Sequence, residues 1–188
     1  MRILFILALC TLGLRPAQAE HLLVPMDTTQ RNHLKSYGLA FWILERGISV
    51  EWLLNYQGGA FLIEYHPLIA SEAQIRGITS LQISAAQAAQ IYAEIDESNM
   101  DVVNLEKAPK IAVYTPPNKQ PWDDAVTLAL EYAQIDYEKI WDEEVLAGAL
   151  DDYDWLHLHH EDFTGQYGKF YGSYSREAWY REQQDTYE

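Results

Sequence analysis

With 188 residues, 28 acidic against 13 basic side chains and a formal net charge of −15, the chain is ill suited to nucleic acid or to an anionic membrane surface. Its 48% hydrophobic and 13% aromatic content excludes a disordered acidic tail and provides for one good core or two small ones.

In chain order, residues 1–19 read as a secretory leader. Met1-Arg2 is a short basic start, Ile3 to Leu14 an apolar core and Ala17-Gln18-Ala19 a small-residue cleavage site. The competing reading is a retained anchor, but a bilayer span needs about 20 apolar residues. The expectation is therefore an exported protein, periplasmic or extracellular, with no membrane partner after cleavage. The single cysteine, Cys10, falls inside this stretch, and Leu7-Ala8-Leu9 before it lacks the small residue that precedes a lipidated cysteine. A mature chain would hold no disulfide, thiolate ligand or cysteine nucleophile. Losing Arg2 and Arg15 leaves 11 basic residues against 28 acidic ones, a net charge of −17.

Leu22-Leu23-Val24 predicts a short strand, and Asp27-Thr28-Thr29-Gln30 a capping-box variant that opens a helix running to about Arg46. Val50 to Tyr56 and Ala60 to Tyr65 read as strands around a Gly58-Gly59 turn. A weaker helix from Ser71, a strand near Leu81-Gln82-Ile83 and a helix from Ala85 to Ile95 follow. Ser98 to Pro109 reads as a polar linker. Beyond it, Ile111 to Tyr114 predicts a buried strand and Pro121 a helix start, with Asp123 and Asp124 in its first turn. Tyr137 to Trp141, Glu143 to Leu150 and Trp155 to His159 then read as strand, short helix and strand. The fold expected is α/β, with Rossmann-like or flavodoxin-like parallel sheets and flanking helices. Its domains are 1–19 as leader, 20–105 as a first α/β segment and 106–188 as a second, apparently incomplete unit.

The chemistry-bearing stretch is WLHLHHEDFTGQYGKF, residues 155–170. Strand alternation puts Trp155, His157 and His159 on one face and Leu156, Leu158 and His160 on the other. Side chains two apart stand about 6.6 Å apart along a strand, so His157 and His159 could share a divalent metal. Equally, both could be hydrogen-bonded residues of a polar strand end. A third possibility follows from open parallel sheets binding ligands outside their carboxyl ends: there His160, with Glu161 or Asp162, could move protons near neutral pH. Tyr167 and Phe170, in a glycine-punctuated aromatic loop, could stack on a planar or sugar ligand, or pack on a partner segment. Asp27, just after the first strand, is a further ligand-facing candidate, though a helix-cap role explains it. The cofactor is undetermined, with a divalent metal as one option, and the expected partner is a small molecule.

LLVPMDTTQRNHLKSYGLAFWILERG, VEWLLNYQGGAFL, APKIAVYTPPNKQPWDDAVTLALEYAQIDY and YDWLHLHHEDFTGQYGKF together resemble a family of exported bacterial proteins commonly labelled asparagine synthetase B. From Lys110 onward the chain also resembles the start of a class I glutamine amidotransferase-like domain. This implies an amide-directed chemistry, hydrolysis or transfer, in the full-length protein. In that superfamily the nucleophile lies on a later strand-to-helix elbow, expected here beyond residue 188, so none is carried over. The alternatives are a non-catalytic extracytoplasmic module binding a ligand or carbohydrate, and a metal-dependent hydrolase.

Overall fold

A computed structural model describes residues 20–117, 124–159 and 166–187, with no account of the side chains of 166–168, 183–184 and 186–187. The protein is mixed α/β and divides into two compact units, one ending at Ala108 and the other starting at Pro109. Among the described residues no helix is long and apolar enough to cross a membrane.

The first unit contains β1 (His21–Val24), α1 (His33–Leu44), β2 (Val50–Leu54), β3 (Ala60–Glu64), α2 (Pro67–Ile75), β4 (Leu81–Ile83), α3 (Ala85–Asp96) and β5 (Asp101–Leu105). Its sheet runs β4-β1-β3-β2-β5, and every pairing is antiparallel. This corrects the expected parallel Rossmann-like sheet. The βαββαβ order with strands 4-1-3-2 is the split-βαβ, ferredoxin-like arrangement, extended here by α3 and β5.

Both faces of that sheet are covered. Leu22, Val24, Phe61 and Ile63 pack with Leu39, Ile43, Ile69 and Ala73 of α1 and α2. The alternate residues Leu23, Leu53 and Leu62 pack with Ala88, Ile91 and Ile95 of α3. Each such fully buried aliphatic side chain contributes roughly 1.5–3 kcal/mol. Leu22-Leu23-Val24 is therefore apolar throughout because helices close both sides, not because its neighbours are parallel.

Two local expectations also change. The helix after β1 is capped by Asn32, whose side chain accepts Lys35 N–H at 3.1 Å, not by Asp27. Gln30, 5% exposed, is a buried strut: its Nε2 donates to the carbonyls of Pro25 (2.9 Å) and Thr79 (3.2 Å). Its Oε1 accepts the backbone N–H groups of Arg31, Asn32 and Thr79. Residues 101–105, expected as linker, form the edge strand β5 on β2.

The second unit contains β6 (Ile111–Tyr114), α4 (Ala125–Ala133), β7 (Glu138–Ile140), α5 (Asp142–Leu146), β8 (Trp155–Leu158), α6 (Gln166–Tyr174) and α7 (Ala178–Tyr187). Its sheet is parallel, as expected, in the order β7-β6-β8. Ile111, Ala112 and Val113 of the central strand are at most 3% exposed, and Leu130, Ala133 and Ile140 are buried with them. The glycine-punctuated aromatic stretch is not a loop from residue 166 onward; it is helix α6 despite Gly168 and Gly172.

Candidate functional site at the carboxyl edge of the parallel sheet

In the order β7-β6-β8, the second strand lies on one side of the first and the third on the other. The strand order therefore reverses at β6, and open parallel sheets hold ligands outside the carboxyl ends of their strands at such a reversal. The ladder pairs Val113 with His157 and Tyr114 with Leu158, and His159 N–H donates to the Tyr114 carbonyl at 3.1 Å. His157 and Val113 thus share a face, which Thr115 and His159 continue.

Burial runs against the usual pattern for a strand. Leu156 (39% exposed) and Leu158 (53%) face outward, while His159 is 2% exposed and His157 is half-buried. The covered side of β8 is its histidine side, and Asp124 meets His157 there. This residue caps α4, accepting Val126 N–H at 2.8 Å and Thr127 N–H at 3.1 Å on Oδ1. The same oxygen lies 3.0 Å from His157 Nε2.

Burial works against the Asp124 carboxylate. The Thr127 amide, the His157 ring and the Val126 amide outweigh it and bring the carboxyl down to about 2. Asp124 is therefore ionised across the physiological range. A carboxylate on Nε2 keeps a proton on that nitrogen, so in a neutral ring Nδ1 carries a lone pair. Nδ1 makes no hydrogen bond to any described residue. The pair is a carboxylate-oriented imidazole, able to accept a proton or an N–H or O–H donor from a ligand.

Two further groups lie at this edge. Thr115, just after β6 and 2% exposed, has no hydrogen-bond partner for its hydroxyl among the described residues. On the β7 side, Tyr114 stacks on Trp141 (centroids 4.6 Å, 21° between planes) and donates its hydroxyl to Asp142. That bond pushes the Tyr114 hydroxyl pKa upward.

Of the residues expected from sequence, His157 and His159 stand at this edge, but His157 faces a carboxylate. Among the described residues no group of three or more His, Cys, Asp or Glu could hold a metal. His160, Glu161 and Asp162 lie outside the described residues. Phe170 is on α6, 45% exposed, with its ring 4.8 Å from Tyr174 and 5.9 Å from Tyr180. Tyr167 lies on the same helix, its side chain outside the described set. Asp27 belongs to the first unit, where its carboxylate accepts Thr29 N–H at 2.9 Å and the Thr29 hydroxyl at 2.6 Å. These hydrogen bonds lower its pKa.

Asp124 and Thr115 were not singled out from sequence. An Asp at the start of a helix is fully explained as a cap, and a threonine before Pro116-Pro117 as part of a loop. The available signal was positional: both occupy the connection that leaves the carboxyl end of the first strand of a βα unit. Compared with known proteins, the chain matches no family model, no curated protein and no solved structure.

Proposed function

We propose that this is an exported amidotransferase-like protein whose second unit holds a small polar ligand at the carboxyl edge of β6 and β8. The chemistry served there in the full-length protein is amide hydrolysis or transfer. What supports this reading above all is the Asp124–His157 pair: an imidazole oriented by an ionised, nine-tenths-buried carboxylate, beside the point where strand order reverses. A ligand carboxamide offers an N–H donor to His157 Nδ1 and a carbonyl acceptor to the Thr115 hydroxyl.

A non-catalytic extracytoplasmic binding module is the second reading. It is favoured by the position of the only cysteine, Cys10, inside the leader-like segment. One experiment addresses both: glutamine, asparagine and a simple sugar are titrated into isotope-labelled full-length protein, with ammonia release followed in parallel. Carboxamide-dependent shifts at His157 and Thr115, together with ammonia release that His157→Gln abolishes, support the enzyme. The same shifts without ammonia support the module. No response of this edge to any carboxamide would exclude the amide-directed reading.

A further inference from the structure

Outside the second unit's sheet edge, the first unit carries a groove of about 300 Å³ between the end of α1 and the length of α2. Its walls are apolar, formed by Trp42 and Ile48 on one side and by Leu68, Ile69 and Ile75 on the other. Ile69 belongs to the core at 2% exposure, whereas Leu68 (68%) and Ile75 (77%) are open to solvent at the groove's outer wall. Exposed aliphatic side chains spaced seven apart on a helix present one continuous stripe to whatever enters.

The polar groups around this groove are mostly donors, with one acid among them. The Arg46 guanidinium lies over the Trp42 ring, 3.6 Å from its centroid, and donates from Nη1 to the Trp42 carbonyl at 2.7 Å. Its carboxylate neighbour, Glu45, is 4.0 Å away in an exposed pair that neutralises little. Glu72 is the acid on the groove wall, and its Oε1 is held by Arg76 Nε at 2.8 Å. His66, the α2 cap, accepts Leu68 N–H on Nδ1 at 3.2 Å, which leaves a ring proton on Nε2 as a donor. Ser71 adds a hydroxyl. A guanidinium, an imidazole and a hydroxyl thus line an apolar trough beside the arginine-held Glu72, in a chain whose formal charge is −15. The planar fork of an arginine suits a carboxylate, and its placement over an indole spares it much of the desolvation cost.

We propose that this groove is a binding site for a small monocarboxylate with an apolar chain, its carboxylate on Arg46 and its chain against Trp42, Ile69 and Ile75. The volume is at the lower end of ligand pockets, which fits a short aliphatic acid better than a drug-sized molecule. This inference is independent of the amide-directed reading, since it concerns the other unit.

The test uses the full chain and three probes of equal length: hexanoate, hexanol and hexylammonium. Each is titrated while the Trp42 indole and the Ile69 and Ile75 methyl resonances are followed. The expected result is that hexanoate shifts these signals and binds about tenfold or more tightly than hexanol, with hexylammonium weakest. Arg46→Gln should remove that preference, and Arg46→Lys should restore it in part. Equal or tighter binding of hexanol or hexylammonium by the unaltered protein would overturn the proposal, as would a hexanoate response that misses the groove. These wild-type comparisons decide the matter even if a variant fails to fold.

Discussion

Asp124 shows how one side chain can both cap a helix and hold a histidine ring. It stops the first turn of α4 from fraying and at the same time fixes the His157 ring. Its folded pKa of about 2 lies below the ordinary 3.8. The carboxylate therefore contributes stability that is fully present above 3.8 and is lost as pH falls through 2. Urea denaturation between pH 5 and 2 should show the wild type losing about 2 kcal/mol more than Asp124→Asn, which keeps a capping oxygen but cannot be protonated in this range. Parallel pH profiles for the two proteins would rule out the proposed electrostatics. Gln30 gives a second residue-scale test. It satisfies five backbone groups near the start of α1 and the start of β4, so Gln30→Ala leaves buried donors and acceptors unpaired. Chemical denaturation should show a loss of about 2–3 kcal/mol. From sequence, Gln30 was expected to reach back in a capping box; two of its five partners lie 49 residues away at Thr79, beyond any local pattern.

Among the elements, the sequence showed most helices and strands and misjudged their pairing. An apolar run such as Leu22-Leu23-Val24 signals burial on both faces, and both parallel and antiparallel strands meet that condition when helices lie on each side. The missed signal was the short Asn55–Gly59 connection. Adjacent strands joined by so few residues can pair only antiparallel, because a parallel return needs a crossover of a dozen residues or more. β5 was read as linker because it is an edge strand, mostly exposed, in which Asp101 and Asn104 interrupt the apolar pattern. The β2–β3 turn also yields a sharp comparison of glycines. Gly58 has φ +77, and a Cβ there would stand 2.5 Å from the Met26 carbonyl oxygen, in backbone that cannot give way. Gly47 has φ +70 with nothing within 4 Å of such a Cβ. Gly47→Ala should cost about 1 kcal/mol of conformational strain, and Gly58→Ala at least about 2 kcal/mol more. Thermal melts of the two variants provide the comparison, and equal melting points would refute the close approach at Met26.

At the scale of the whole chain, each unit has its own sheet. The first closes both faces of a five-stranded sheet with three helices, so residues 20–108 expressed alone should give a dispersed amide spectrum and unfold cooperatively. A collapsed spectrum would show that its core needs the second unit. In that second unit, the parallel sheet and its carboxyl edge were legible from the strand, helix, strand rhythm. The partner of His157 was not, because it arrives from 33 residues earlier through β6 and α4. The functional reading rests on that partnership. It is tested most directly by the long-range ¹H–¹⁵N spectrum of the neutral His157 imidazole, recorded with and without glutamine. The expected spectrum has the proton on Nε2, a bare Nδ1 in the free protein and a shift of the Nδ1 signal as carboxamide is added. A ring protonated on Nδ1 instead, or an Nδ1 signal indifferent to every carboxamide, would refute an Asp124-oriented histidine serving this edge.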